Sequence, residues 1–197
     1  MENEAVREWH LSTPLSTEDI GKLNAGDLVY LSGPVYTARD GVYKHMLIDG
    51  NLPPIDLANL TNVSFQSSPA GVEVAPGKYE VASLQATAGF RYSQYMPQLL
   101  EGYGVKAVVG KAGMAEEDYR DTFVKHGAIC LTTMGYGLGA IYGSAIEEVL
   151  GVYWVEELGL SEALWVLHLK ELGPLLVEGD ANGNSFFTGV GEENKQR

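Results

Sequence analysis

The chain has 197 residues, of which 45% are apolar and 20% charged, a composition typical of one globular domain with a substantial buried core. Its formal charge of −13 argues against binding to nucleic acid or to an anionic membrane surface, because both require clustered Lys and Arg. No apolar run approaches the roughly 20 residues that cross a bilayer.

The N-terminal sequence MENEAVREWHLSTPL mixes charges and lacks the apolar segment of a secretory signal. Cys130 is the single cysteine, which excludes an intrachain disulfide and favours a reducing compartment. We therefore expect a cytoplasmic protein. Residues 1–14 are predicted to form an N-terminal extension, 15–188 the domain and 189–197 a flexible tail.

In the first half of the chain, the predicted helices and strands alternate. The spacing of Ser16 and Asp19 predicts a capped helix start, and so does that of Thr37 and Asp40. Pro97 is expected to kink or delimit a later helix. The predicted helices are 17–23, 37–48 and 91–103. The predicted strands are 27–31, 63–66 and 78–84; the first is expected to end at SGP and the second at SSPAG.

The sequence of the second half predicts a more regular alternation of strands and helices than that of the first half. Strands are expected at 106–110, 128–132, 152–155, 163–169 and 175–178, and helices at 115–126 and 138–149. This alternation predicts a layered α/β domain with substantial parallel pairing.

Arg39 stands at a predicted strand-to-helix turn within GDLVYLSGPVYTARDGVYKHM, residues 26–46. A guanidinium at such a turn is well placed to bind a carboxylate or a phosphate, since its planar fork binds two oxygens. The alternative is an ordinary ion pair with Asp40 or with another acid.

Lys111 lies in the sequence GKAG, residues 110–113, directly after a predicted buried strand. Such a position projects a side chain from the carboxyl edge of the sheet, where α/β proteins bind ligands. Its ammonium is suited to neutralising a carboxylate or an enolate-like intermediate. The spacing of a phosphate-binding Walker loop is absent. A solvated surface lysine is the alternative.

The sequence LSGPVYTARDGVYKHM resembles the LSG-x-x-x-T-A-R-D-A-A-H-K stretch of class I fumarases and L(+)-tartrate dehydratases, in their β subunit or C-terminal domain. VVGKAGM is similar to I-G-K-G-G-M of the same proteins. The resemblance extends over roughly Leu15 to Gly183. It implies the swivelling β/β/α fold of the class I fumarase C-terminal type.

The sequence QATAGFR, residues 85–91, resembles G-P-T-T-[SA]-G-R-M, in which one Thr is the catalytic base and the Arg binds a substrate carboxylate. Thr87 aligns with the second Thr, which places Ala86 on the first. Phe90 then occupies the Arg position unless one residue is inserted, and Arg91 is the nearest substitute. The resemblance implies catalytic Thr87 and Lys111, with Arg39, Arg91 and Lys111 binding substrate. An ordinary turn hydroxyl is the alternative for Thr87.

Asp40, Tyr43 and His45 are further candidates. The related proteins usually have His at the position of Tyr43. His45 follows two residues later, about 200° away around a helix, so it cannot simply take over that role.

The resemblance implies a [4Fe–4S] cluster whose cysteines come from a partner α subunit, because a single cysteine cannot hold one. The expected function is the β subunit of a two-subunit iron–sulfur-dependent hydro-lyase, adding or eliminating water on a small hydroxy-dicarboxylate. It would be active only with the α subunit, would bind no metal itself, and would form a homodimer or hetero-oligomer. The alternative is a catalytically diverged binding or regulatory subunit, supported by Ala86, Phe90 and Tyr43.

Overall fold

A computed structural model describes residues 6–135 and 137–187. The strands are β1 (Glu8–Ser12), β2 (Leu28–Thr37), β3 (Val63–Phe65), β4 (Ser67–Ala75), β5 (Lys78–Ala86), β6 (Ala107–Gly110), β7 (Ile129–Thr133), β8 (Ile146–Tyr153) and β9 (Leu164–Gly179). The α-helices are α1 (Thr17–Lys22), α2 (Asp40–Tyr43), α3 (Leu57–Leu60), α4 (Met96–Tyr103), α5 (Val124–His126), α6 (Gly139–Gly143) and α7 (Val155–Leu158). A π-helical turn, Lys44–Ile48, continues α2; another, Asp118–Phe123, precedes α5; and a 3₁₀ turn, Gly89–Tyr95, precedes α4.

Seven strands form the main sheet in the order β1-β2-β3-β6-β7-β9-β8, and β4 and β5 form an antiparallel hairpin. The pairs from β1 to β7 are parallel, whereas β9 runs antiparallel to β7, β8 and β2. Because β9 also pairs with β2, the strands β2, β3, β6, β7 and β9 are hydrogen-bonded in a closed ring. The predicted α/β class with parallel pairing is confirmed.

The sheet buries both of its faces. Val109 and Leu131 belong to one core cluster, with β5 and α6 packed on it, whereas their neighbours Val108 and Cys130 belong to another beneath α2 and α4. This division follows from the alternation of side chains along a strand. Strands covered on both faces are apolar throughout, which explains why β6 and β7 were recognisable as short apolar runs.

The predicted break at SGP, residues 32–34, is wrong, because β2 continues to Thr37. The antiparallel pairing with β9 carries the strand through this segment, with two register shifts on the way. Gly33 has φ +105° and packs directly against Thr13, a position that excludes a side chain.

The predicted capping box of Thr37 and Asp40 is also wrong. Thr37 is the last residue of β2, and its hydroxyl accepts the N–H of Trp165 at 3.3 Å. Helix α2 begins at Asp40, with Arg39 at the N-cap position. The strand therefore ends two residues before Arg39, the residue predicted to bind an anion.

Two further boundaries differ from prediction because long-range pairing decides them. The helix predicted over 138–149 ends at Gly143, and the chain enters β8 at Ile146 to pair with β9. The two last predicted strands are one strand, β9, and SSPAG follows β3 as predicted but itself begins the next strand, β4. The predicted elements at 17–23, 78–84 and 106–110 are confirmed within two residues.

The segment predicted as an N-terminal extension contains β1, which pairs in parallel with β2. Arg7 and Trp9 both donate to the carboxylate of Asp27, at 2.6 and 3.0 Å to Oδ2, and fix this strand. The predicted tail at 189–197 lies outside the described residues. Within the described ranges, no helix is long and apolar enough to cross a membrane.

Candidate active site

Three parallel strands, β2, β3 and β6, end at the same edge of the sheet, and Arg39, Gln66 and Lys111 follow them within two residues. Backbone hydrogen bonds join these strand ends, from Ala38 N–H to the Phe65 carbonyl at 2.9 Å and from Gln66 N–H to the Val109 carbonyl at 2.7 Å. The carboxyl edge of parallel strands is where α/β sheets bind ligands. Arg39 and Lys111 were both predicted as site residues, and both lie at this edge.

Thr87 and Lys111 are neighbours across a short backbone ladder. The Lys111 N–H donates to the Thr87 carbonyl at 2.9 Å, and the Gly89 N–H donates to the Lys111 carbonyl at 3.2 Å. The Thr87 N–H in turn donates to the Gln66 carbonyl at 2.6 Å. The end of β5 is thereby fixed beside the end of β6, and the predicted base stands next to the predicted cation.

Arg91 reaches the same edge from the 3₁₀ turn after Thr87. Its Nη2 lies 2.7 Å from Asp40 Oδ2, and each side chain is 44% exposed. Phe90 is 61% exposed. Of the two residues that compete for the Arg position in the sequence, only Arg91 presents a charge to the start of α2.

Arg39 pairs with Glu162 rather than with Asp40, its neighbour in sequence. Its Nη1 lies 3.0 Å from Glu162 Oε1, and both side chains are about three-quarters buried. The pKa of Arg39 is above its ordinary value: burial lowers it, but the Tyr92 hydroxyl and the carboxylates of Glu162 and Asp40 outweigh that effect. The guanidinium is therefore a fixed positive charge.

Tyr43 and His45 lie in different surroundings. Tyr43 is fully buried, 3.1 Å from the Ser64 hydroxyl and with ring centroids 5.3 Å from Tyr92, and its burial raises the pKa of the phenol. His45 packs edge-on against Trp154 at 4.7 Å, and its Nδ1 lies 3.2 Å from the amide nitrogen of Asn51. Tyr43 thus forms the inner wall behind Arg39, whereas His45 faces another part of the surface.

A buried carboxylate that no sequence motif indicated lies beneath the loop that carries Lys111. Glu178, on β9, is 1% exposed, and its Oε1 accepts the Gly113 N–H at 2.8 Å and the Tyr119 hydroxyl. Gly113 has φ +117°, a conformation that favours glycine. Glu178 therefore holds the loop that carries Lys111. The one local indication of Glu178 in the sequence is that this acid directly follows the apolar run that ends at Val177.

Gln66 and Glu162 were missed as well. Gln66 directly follows the short strand β3, and this place at the carboxyl edge could have marked it as a site residue. Glu162 gives no local signal, since its role depends on contacts with Arg39 and with Gly41, far away in sequence.

The described residues do not fit an iron–sulfur cluster. Cys130 lies within β7 and is 4% exposed, and burial, followed by the nearby Glu178 and Asp118, raises the pKa of its thiol well above the ordinary value. A cluster ligand must be an accessible thiolate. In the described part of the chain, His, Cys, Asp and Glu do not form a group of three or more that could hold a metal ion.

The sequence was compared with models of protein families, and the model described as Fumarase C-terminus matches residues 1–190. The chain belongs to the fumarase C-terminus family. This membership agrees with the mixed α/β fold and with the fold type that the sequence motifs implied.

This fumarase C-terminus chain is similar in sequence to the following three relatives. It is 32% identical over 189 residues to the L(+)-tartrate dehydratase subunit beta of Escherichia coli K12, covering 94% of this chain and 88% of that protein. It is 32% identical to the "Putative L(+)-tartrate dehydratase subunit beta" of Methanocaldococcus jannaschii, over 91% of each chain. It is 30% identical to the "Putative fumarate hydratase class I" of Geobacillus stearothermophilus, over 91% of this chain but 34% of that protein.

Proposed function

We propose that the chain is the β subunit of a cytoplasmic hydro-lyase that adds water to, or eliminates it from, a small hydroxy-dicarboxylate. Relatives named as tartrate dehydratase β subunits align along nearly their whole length, which supports a subunit rather than a complete enzyme. The partner is an α subunit, and the two chains together form the active enzyme.

The observation that carries this proposal is the backbone ladder between Thr87 and Lys111 at the edge that also bears Arg39. In a chain with a formal charge of −13, Arg39 and Lys111 bring positive groups to this sheet edge, and Arg39 already binds a carboxylate there, that of Glu162. Arg91 extends this positive edge beyond the start of α2.

In the proposed site, Arg39 and Arg91 bind the two substrate carboxylates, since a guanidinium binds a carboxylate through two parallel hydrogen bonds. The Arg91–Asp40 pair is nearly half exposed, and such pairs contribute little stability, so a substrate carboxylate can displace Asp40. Arg39 remains aligned by Glu162.

Thr87 is the proposed base. In the elimination it takes the proton from the carbon next to a carboxylate, a double bond forms, and the C–O bond on the adjacent carbon breaks to release hydroxide. The hydroxide then takes this proton back from Thr87 through solvent, which gives water and restores the alkoxide. A neutral hydroxyl is a weak base, so Thr87 acts as an alkoxide, a form that the neighbouring Lys111 ammonium favours. Lys111 also neutralises the negative charge that develops on the substrate carboxylate in the transition state.

The [4Fe–4S] cluster is assigned to the α subunit, because the described residues of this chain do not fit one. No step assigned to Thr87, Lys111 or the two arginines requires this chain to ligate metal. Binding, orientation and proton transfer are the contributions proposed for the β subunit.

The deciding experiment is anaerobic co-expression with a cysteine-bearing α subunit, cluster reconstitution, and assay of water elimination from tartrate and malate and of water addition to fumarate. Turnover that requires both chains supports the proposal. A fully reconstituted complex that turns over none of these acids overturns it.

The alternative of a binding or regulatory subunit has one specific observation in its favour. Ala86 is buried in the core and Phe90 faces solvent, so the two positions that carry Thr and Arg in the resembling motif bring no polar group to the site. Under this alternative, the complex would bind dicarboxylates at equilibrium without turning them over.

A further inference from the structure

Buried polar atoms without a hydrogen-bond partner are concentrated beside the candidate site. The described residues contain seven such side-chain atoms, and five of them belong to four residues next to one another: the Tyr36 hydroxyl, Arg39 Nε, both amide atoms of Gln66, and the Tyr92 hydroxyl. Proteins pair nearly all of their buried polar groups, so a cluster of orphans marks a place where a ligand or an ordered water binds.

These residues form one continuous wall. The rings of Tyr43 and Tyr92 have centroids 5.3 Å apart, and the Tyr92 hydroxyl lies beside the Arg39 guanidinium. At the other end, the Gln66 side chain interacts with the Tyr43 hydroxyl, and this interaction offsets part of the increase that burial causes in the pKa of Tyr43. The wall therefore runs from Arg39 to the strand end that carries Lys111.

Gln66 occupies the innermost position of this wall. A Cβ atom at Gly110 would lie 2.5 Å from Gln66 Oε1, and one at Gly89 would lie 3.4 Å away, so these two glycines leave the space that its carboxamide fills. Gly110 precedes Lys111, and Gly89 lies two residues after Thr87. The side chain is fully buried, yet neither its oxygen nor its nitrogen has a partner of ordinary hydrogen-bond geometry among the described residues.

The chemistry of a carboxamide identifies the missing partner. It offers one acceptor and one donor side by side, and a hydroxyl oxygen both donates and accepts. A carboxylate only accepts and an ammonium only donates, so either would leave one amide atom of Gln66 unpaired.

We propose that the Gln66 carboxamide binds a hydroxyl oxygen, belonging to the substrate or to water, at the strand end that carries Lys111. Gln66 is then a specificity-determining residue of the site. The inference rests on the proposed hydro-lyase function, whose reaction removes or adds this kind of group.

The test begins with Gln66→Met, which keeps the length of the side chain and removes both orphan atoms. If the oxygen belongs to the substrate, the melting temperature of the isolated chain should rise by roughly 2–4 °C, because the amide is then unpaired in the free protein. In the reconstituted complex the variant should lower kcat/KM at least tenfold. Gln98→Met, on the exposed face of α4, is the matched control and should change neither quantity.

Equilibrium binding of malate and of succinate, which lacks the hydroxyl, distinguishes the source of the oxygen. If it belongs to the substrate, wild-type complex binds malate more tightly than succinate, and Gln66→Met abolishes the difference. If it belongs to water, the variant lowers turnover without changing the malate-to-succinate affinity ratio. A variant that retains wild-type kcat/KM overturns the proposal, and a variant that melts at lower temperature than wild type excludes the substrate as the source of the oxygen.

Gln66→Glu gives an independent reading if the methionine variant folds poorly. A protonated carboxyl group donates and accepts as the amide does, and burial raises the pKa of a carboxyl group. Activity relative to wild type should therefore recover as the pH is lowered; a flat ratio contradicts the role. If wild-type complex turns over no hydroxy-acid, the proposed function fails, and the melting and binding measurements still decide the role of Gln66.

Discussion

Glu162 holds Arg39 and the first turn of α2 with its two carboxylate oxygens. Oε1 lies 3.0 Å from Arg39 Nη1, and Oε2 accepts the Gly41 N–H at 3.0 Å. The orientation of the guanidinium is thus set by a residue that precedes β9, far away in the chain, and the same residue ties it to the first turn of α2.

Glu162→Ala should weaken substrate binding. Without this carboxylate the Arg39 side chain loses its alignment, so the KM of the reconstituted complex should rise about tenfold, equivalent to about 1.4 kcal/mol. Glu162→Gln retains an acceptor for Arg39 and should have a smaller effect. Glu157→Ala removes an exposed acid nearby and serves as the control. An unchanged KM in the alanine variant would show that Arg39 needs no support from Glu162.

Lys111→Ala should leave the fold intact, because the hydrogen bonds of Lys111 to Thr87 and Gly89 use backbone atoms. Activity of the complex should fall 100- to 1,000-fold, since a charge contact that tightens in the transition state contributes about 2.7–4 kcal/mol. Lys111→Arg should rescue poorly, because a guanidinium is larger and differently shaped. Lys125→Ala, at an exposed helix end, should behave as wild type. Wild-type turnover in Lys111→Ala would eliminate the proposed role.

Thr87→Ala should lower kcat with little change in KM, as expected for a group that moves a proton. The ladder to Lys111 and Gln66 uses the backbone of Thr87 and survives the substitution. Thr87→Ser keeps the hydroxyl and should retain most of the activity. Equal loss in both variants would assign Thr87 to packing rather than to proton transfer.

Glu178→Ala should destabilise the chain, since it leaves the Gly113 N–H and the Tyr119 hydroxyl buried without their acceptor. The free energy of unfolding should decrease by about 1–3 kcal/mol, measured by urea denaturation. An exposed acid such as Glu156 provides the control substitution. If the carboxylate also fixes the lysine loop, kcat should fall at temperatures where the variant is fully folded.

Alkaline pH should lower the free energy of unfolding of the chain. Burial raises the folded-state pKa of Cys130, Tyr36 and Tyr43 above their unfolded values of about 9 and 10. For groups with a raised folded pKa, the stabilisation is complete below the unfolded pKa and is lost as the pH rises towards the folded pKa. Urea unfolding should give a constant midpoint from pH 7 to 8.5 and a falling one above pH 9. Cys130→Ala should weaken the first part of that fall; a flat profile to pH 10.5 would contradict the burial of these groups.

The parts of the site that sequence could predict are those encoded in contiguous residues. Lys111 was recognisable because a short apolar strand runs directly into glycines, and Arg39 because it stands between a strand and a helix. The strand through Pro34 was not predictable, since its pairing partner β9 decides it. Glu162 and Glu178 were missed for the same reason: each acquires its role from a contact made only when the chain is folded.

The 16-residue strand β9 pairs with β2, β7 and β8, and its addition closes the ring of strands. Most of its partners are synthesised long before it. During translation, β2 therefore emerges with one hydrogen-bonding edge open, and it stays open until β9 leaves the ribosome. Such non-local pairing slows folding and exposes strand edges to other chains. The high negative charge of the chain opposes association of nascent copies until β9 has been made.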